Sequence, residues 1–596
     1  MALRIEDYAL IGDCQTAALV GRDGSLDWLC FPRFDSPACF AALLGTADHG
    51  RWLLAPAGDT RQVKRTYRGD TLVLETTFTT DTGEATVIDC MPVRSGQPDV
   101  VRLVVGRRGV VRMRTHFAPR LDYGSLSPWV RPEDGGVVAV GGPETLHLRT
   151  PVPLHIDGWS ASAEFEVKAG EQVPFVLTWH PSHEPLAPPI DASTAVDETA
   201  RWWQEWADRC TYQGEWRDAV VRSLVTLKAL TYAPTGGIVA APTTSLPEHI
   251  GGSRNWDYRY CWLRDATFTL AALLQSGYTD EAKAWREWLL RAVAGKGSEL
   301  RIMYGVAGER RLPEMELPWL PGYENSRPVR IGNGAYDQFQ LDVFGETLDC
   351  LHLARHYGLT AADNDWRIER ELLGRLEQVW QEPDEGIWEV RGPKRHFTHS
   401  KLMAWVAFDR AVKDVERFGL DGPADRWRKL RDGLHAEICD RAFDPDLNAF
   451  VQFYGGKDMD AAVLMMVEVG FLPPSDPRIH GTVAAIERQL VRDGFVYRYH
   501  TGSGVDGLPK GEGAFLLCTF WLADNYALLG RDADARRVFE NLLAIRNDVG
   551  LLAEEYDPVA RRLLGNFPQA FSHLGLINTA RNLTQREKPA EVRQQT

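Results

Sequence analysis

Three stretches of the 596-residue sequence gather carboxylates, aromatics and glycines in a way that suits chemistry on a sugar. The first, SRNWDYRYCWLRD at 253–265, contains Trp256 and Asp257 and ends on Arg264 and Asp265. A guanidinium donates and a carboxylate accepts, so the Arg264–Asp265 pair can grip the hydroxyls of a pyranose ring. Asp265 also stands where a helix is predicted to begin, where it would cap free N–H groups. The second stretch, DEGIWEVRG at 384–392, is followed by HFTHSK at 396–401. Here Glu389 follows Trp388. A carboxyl group against an indole face is poorly solvated, which favours the neutral, proton-carrying form that a general acid needs. The plainer alternative is a solvated loop glutamate paired with Arg391. The third stretch, LLAEEYD at 551–557, leads into GNFPQAFSH at 565–573. Of Glu554 and Glu555, one is suited to activating water as a base and the other to a structural ion pair with Arg561 or Arg562.

Glycoside hydrolysis commonly uses two carboxyl groups flanking the scissile bond, and inversion leaves about 6.5–9.5 Å between them for a water. Glu389 and Glu554 are far apart in sequence, so the fold must bring them together. Residues 1–190 read as short strands rich in Val, Thr and Phe and broken by Gly, Asp and Pro, which predicts an antiparallel β-sandwich. PSHEPLAPPIDAS at 181–193 is a Pro-rich junction, and 191–214 reads as a linker helix. From 215 to 590 the pattern turns helical, with twelve candidates running from 215–232 to 567–584, including 334–356, 362–381, 458–469 and 513–529. Twelve helices suit six hairpins closed into an (α/α)6 barrel. The long aromatic loops at 233–262, 295–333 and 493–512 are expected at one end of it.

Composition removes several classes of function. A net charge of -15 disfavours nucleic acid and anionic membranes as partners. No apolar run is long enough for a membrane span. The first residues, MALRIEDYALIGD, lack the features of a secretory signal. The nine cysteines form no CxxC pair, which points to reduced thiols and a cytoplasmic location. Twenty tryptophans fit a small-carbohydrate substrate as well as a large core. No metal-ligand spacing is present, so neither a catalytic metal nor a cofactor is expected.

Taken together, SRNWDYRYCWLRDA, GYENSRPVRIGNGAYDQ, GIWEVRG with FTHSK, and AEEYDP with LGNFPQAFSHL resemble the glucoamylase-type glycoside hydrolases of family 15, which include bacterial trehalases and isomaltose-cleaving enzymes. The likeness spans nearly the whole chain. It implies a β-sandwich, a helical linker, an (α/α)6 catalytic barrel and inversion at the anomeric carbon. It casts Glu389 as general acid, Glu554 as general base, and Arg264 with Asp265 as the grip on the glucose. Trp256, Asp257, Trp388 and Arg327 lie in the same motifs as pocket residues. Family members that are secreted and digest starch often carry a starch-binding domain. This sequence shows no segment for either, so raw starch is not the expected substrate.

The resulting expectation is an inverting, exo-acting hydrolase of short malto- or isomalto-oligosaccharides. Trehalose hydrolysis is the first alternative and a non-catalytic sugar sensor the second. Arg33 and Asp35, in CFPRFDS at 30–36, are expected in an inter-domain packing loop rather than at the leaving-sugar site. Asn333, Asp337 and Gln338 are expected either to line the pocket or to cap the following helix.

Overall fold

A computed structural model describes residues 2–584 apart from 95, 187 and 360–362. The expected stretch 585–590 and the first residue of the expected helix 362–381 lie outside them.

The N-terminal part is antiparallel sheet throughout. Its central strand, Asp99–Ala118, is long enough to serve two sheet halves. Its first half pairs with Gly83–Cys90 and Gln172–Pro181. Its second half pairs with Arg51–Pro56 and Ser160–Lys168. Side chains alternate between faces along a strand. Leu74, Thr76 and Phe78 are accordingly buried while the residues between them are half-buried.

Helix α1, Ala192–Ala207, starts where Asp191 accepts a 2.8 Å hydrogen bond from the Thr194 N–H. It buries Ala192, Ala195, Val196, Thr199, Trp203 and Trp206, the spacing of one helical face. Part of that face lies on Val73, Ile88, Val101 and Leu103 of the sheet.

Twelve further helices follow among the described residues: α2 Arg217–Ala229, α3 Ala266–Gln275, α4 Thr279–Val293, α5 Asp342–His356, α6 Asp363–Val379 and α7 Thr398–Phe418. After them come α8 Ala424–Arg441, α9 Met465–Glu468, α10 Pro477–Gln489, α11 Leu516–Leu528, α12 Asp532–Ala544 and α13 Ala570–Thr584. α3, α5, α7, the turn leading into α9, α11 and α13 touch one another in succession, and α13 returns to α3. α4, α6, α8, α10, α12 and α2 lie outside it, each contacting one or two members of that ring. The ring helices are largely buried, as in α11, where every residue from Leu516 to Ala527 is buried.

Three expected helices are shorter than the sequence suggested. The stretch 334–341 is not helical because its backbone is tied elsewhere: Phe339 N–H donates to Glu385 and Leu341 N–H to Asp384. Ala514–Phe515 form a strand with Glu555–Asp557, so α11 begins only at Leu516. At 458–469 a 3-10 turn, Ala461–Leu464, leaves α9 only four residues long.

The two parts share a polar seam. Trp28 donates to the Pro242 carbonyl at 2.8 Å, Arg222 to the Thr71 carbonyl at 2.8 Å, and Arg259 to the Ser36 carbonyl at 2.9 Å. Arg33 pairs with Asp35 and reaches Glu309, each at 2.7 Å. The 30–36 loop is thus a packing contact between the two parts.

Candidate active site

The three long loops meet at one place. Arg254 of the first pairs with Asp506 and, at 3.4 Å, with Glu512, both of the third. Arg330 of the second donates to the carbonyls of Ser253 and Asn255 at 2.8 and 3.2 Å. Between them lies a cavity of about 540 Å³, counted to its open mouth, with Glu248, Trp256, Tyr258, Arg264, Glu389 and Arg498 in its walls.

Glu389 ends a tight turn in which its N–H bonds to the Gly386 carbonyl at 3.1 Å. Its own φ is 58°, a left-handed conformation unfavourable for a residue with a Cβ. Such local strain is concentrated at functional positions. Two donors converge on Glu389 Oε1: Trp262 Nε1 at 2.6 Å and Arg264 Nη1 at 3.2 Å. A proton carried by this carboxyl therefore belongs on Oε2. Trp388, the indole expected to crowd Glu389, instead donates to Asp460 at 2.9 Å while lining the cavity. Arg391 is not paired with Glu389 either; it forms a two-point bridge to Glu314.

Arg264 and Asp265 form the 3-10 turn that opens α3. Arg264 is fixed by the Ile387 carbonyl at 2.8 Å and lies over the Phe571 ring. Asp265 makes no capping bond to α3, and its Oδ1 is buried without a hydrogen-bond partner. Burial pushes its carboxyl up to about 7 against the pull of Arg264, with Glu389 adding to the rise. A buried, unsatisfied acceptor beside a fixed guanidinium is what a pair of sugar hydroxyls would complete.

Glu554 precedes the strand Glu555–Asp557, and its N–H bonds to the Asn566 carbonyl at 3.2 Å. It is almost wholly buried, and its Oε1 has no hydrogen-bond partner. Burial pushes this carboxyl up to about 8; the charge of Glu248 adds to the rise, and Arg498 and the Tyr258 hydroxyl oppose it. Tyr258 stands edge-on to Trp262, with ring centroids 5.2 Å apart. One aromatic pair therefore joins the surroundings of Glu554 to those of Glu389.

Glu555 is not held by Arg561 or Arg562. It accepts the Gly513 N–H at 2.7 Å and lies 3.5 Å from Arg498, while Arg562 pairs with Glu324 at 2.6 Å. Glu248, Glu512 and Glu555 each bring one carboxylate oxygen to within 4.8 Å of the others, a spacing open to a metal ion. Arg498 occupies the cationic role there, donating to Glu248 at 2.8 Å and to Glu512 at 2.6 Å.

Residues 214–581 match the model of glycosyl hydrolases family 15, and residues 1–203 match the trehalase-like N-terminal domain. The chain belongs to glycosyl hydrolases family 15. It is 38% identical to a trehalase of Mycobacterium tuberculosis over 618 residues, covering 98% of this chain and 90% of that one. It is 34% identical to a trehalase of Thermoplasma volcanium, covering 97% and 93%. Its fold is similar to that of a bacterial glucoamylase complexed with acarbose, with a TM-score of 0.72 at 12% identity, covering 98% of this chain and 94% of that one. The family 15 chain is thus a glycoside hydrolase of the trehalase and glucoamylase type, with an antiparallel sheet part and a helical part. Among the described residues no helix is long and apolar enough to cross a membrane.

The other sequence-derived positions are distributed unevenly. Trp256 lines the cavity and donates to Glu248 at 3.1 Å. Asp257 is taken up by a two-point bridge to Arg259, at 2.8 and 2.6 Å, and by the Gly332 N–H, so it braces the seam rather than facing sugar. Arg327 is exposed and absent from the cavity wall. From its stretch it is Arg330 that approaches, stacking over the Trp256 ring at 4.7 Å. Asn333 lines the cavity, Gln338 bonds to the Glu389 carbonyl, and Asp337 is exposed. Reasoning from sequence did not single out Tyr258, Trp262, Glu248 or Arg498. The first two sit six and two residues before Arg264 in the motif that carries it, and that density of aromatics was the available signal. Nothing local marks Glu248.

Proposed function

We propose that this family 15 enzyme hydrolyses trehalose to two molecules of glucose with inversion, Glu389 acting as the acid and Glu554 as the base. Arg264 and Asp265 hold the glucose whose bond breaks. Glu389 Oε2 gives its proton to the inter-sugar oxygen as the C1–O bond opens. Glu554 takes a proton from a water that adds to C1 from the opposite face. β-Glucose and a second glucose leave, and exchange with solvent returns the proton from Glu554 to Glu389. The observation that carries this reading is the cavity on which Glu389, Arg264, Tyr258 and Glu248 converge; Glu554 is not in its wall and reaches it through its interaction with the wall residue Tyr258.

Sequence alone ranked short malto- and isomalto-oligosaccharides ahead of trehalose. The names of the relatives that span nearly the whole chain favour the reverse order. The closed succession of ring helices, each backed by an outer one, supports an (α/α)6 barrel, and the two sheet halves joined by Asp99–Ala118 support a sandwich. Among the described residues no disulfide joins any of the nine cysteines, which supports work in the cytoplasm. The net charge of -15 supports a small neutral sugar, rather than nucleic acid, as partner. Initial rates on trehalose, maltose, isomaltose and maltotetraose test the reading. Trehalose is expected to give the highest kcat/KM; a higher value on any of the others overturns the assignment.

A further inference from the structure

The geometry points to Arg391, clamped by Glu314 and lying over Trp256, as the residue that binds the leaving sugar and sets which disaccharide is accepted. The inference rests on the proposed roles of Glu389 and Arg264, since it needs a pocket with an inner and an outer sugar site.

Arg264 and Arg391 both line the cavity, but at different depths. The Arg264 side chain is 13% exposed and that of Arg391 34%. Arg264 touches Glu389 Oε1 and lies over Phe571, while Arg391 contacts neither carboxyl of the proposed acid–base pair. In an exo-acting pocket the glucose to be released enters first and the leaving group stays toward the mouth. The outer guanidinium is therefore on the leaving side.

Arg391 is also prepared in advance. Its Nη1 and Nη2 donate to Glu314 at 3.1 and 2.6 Å, and Glu314 is itself held by the Gly334 N–H at 3.0 Å. Its backbone N–H is fixed by the Asp506 carbonyl at 2.8 Å. The guanidinium stacks on the Trp256 ring at 4.4 Å, and that indole is pinned by its bond to Glu248. Glu314 takes two of the five N–H donors of a guanidinium, which leaves three for hydroxyl groups. A rigid donor fork loses little conformational freedom on binding, so its hydrogen bonds count almost fully toward affinity. Because the fork is fixed, it also selects the orientation of the second ring, and orientation is what separates a 1,1-linked from a 1,4-linked glucose.

The test compares a two-ring substrate with one that has no leaving sugar, α-glucosyl fluoride. In Arg391→Ala, kcat/KM for trehalose is expected to fall at least ten times further than kcat/KM for α-glucosyl fluoride, chiefly through KM. Arg391→Lys, which keeps the charge without the fork, should fall between that variant and the wild type and guards against misfolding as the cause. Binding of 1-deoxynojirimycin, a one-ring inhibitor, should weaken by less than the trehalose KM rises, and the alkaline limb of the pH profile should stay in place. Equal losses on both substrates, or a shifted alkaline limb, would overturn the assignment by showing that Arg391 acts through Glu389. Were the wild type to prefer maltose, the trehalose reading would fall separately, and the same ratio would be taken with maltose against the fluoride.

Discussion

Glu248 accepts a 2.8 Å hydrogen bond from Arg498, so a carboxylate is locked in place close to Glu554. Its other oxygen accepts from Trp256 at 3.1 Å, which leaves it no freedom to swing away. The buried Glu554 carboxyl thus faces a fixed negative neighbour as well as the positive Arg498.

The pH dependence of turnover follows from that arrangement. Burial, and then the charge of Glu248, push Glu554 up to about 8. A general base works only when ionised, and Glu554 is protonated below that value. kcat/KM on trehalose is therefore expected to fall as pH drops through a limb well above the usual carboxylate range. Glu248→Gln removes the repulsion and should move this limb to lower pH. A limb that stays in place in the variant, or activity that is lost on the alkaline side instead, contradicts the role given to Glu554.

Loss of the acid should depend on the leaving group. Glu389→Gln is expected to lower kcat on trehalose by roughly a hundred- to ten-thousand-fold. Hydrolysis of α-glucosyl fluoride should suffer much less, because fluoride departs with little help from a proton. Steady-state rates on the two substrates, with circular dichroism as a check on folding, decide the matter.

Loss of the base should not depend on the leaving group. Glu554→Gln is expected to slow both substrates by a similar factor of roughly a hundred or more. In the wild type, proton NMR of the first product formed should show β-glucose. Initial α-glucose would mean a covalent route and a different task for Glu554.

Gly565 bears directly on Glu554. Its φ is 72°, and a Cβ added there would sit 2.6 Å from Glu554 Oε2. Gly565→Ala should cost about 1–2 kcal/mol from the left-handed backbone alone. Activity should fall further than this loss of stability explains, because the carboxyl must shift. Thermal unfolding and kcat measured on one preparation separate the two effects.

Much of this site was legible because its parts are coded locally. The pair Arg264–Asp265 opens a helix and the pair Trp388–Glu389 stands in a glycine-bounded turn, and local composition marks both. Identity of neighbour was less legible. Trp388 is adjacent to Glu389 in sequence, yet the indole that reaches the Glu389 carboxyl is Trp262, from a different loop. Adjacent residues in a tight turn diverge, so proximity in sequence misdirects exactly where the backbone bends most. Arg327 and Arg330 illustrate the same limit, since a three-residue offset separates an exposed side chain from one stacked on Trp256. The shortened helices at 334–341 and 513–515 were hidden for a related reason: Asp384, Glu385 and Glu555, distant in sequence, hold backbone that local preference alone would wind.

Arg259 bonds to Ser36 of the sheet part and to Asp257, one residue from Tyr258 and one from Trp256. A segment of the amino-terminal part is thereby stitched to the very loop from which the pocket wall is made. The sheet part therefore braces the pocket wall, and a change that loosens this joint is expected to displace Trp256 and Tyr258 along with Asp257.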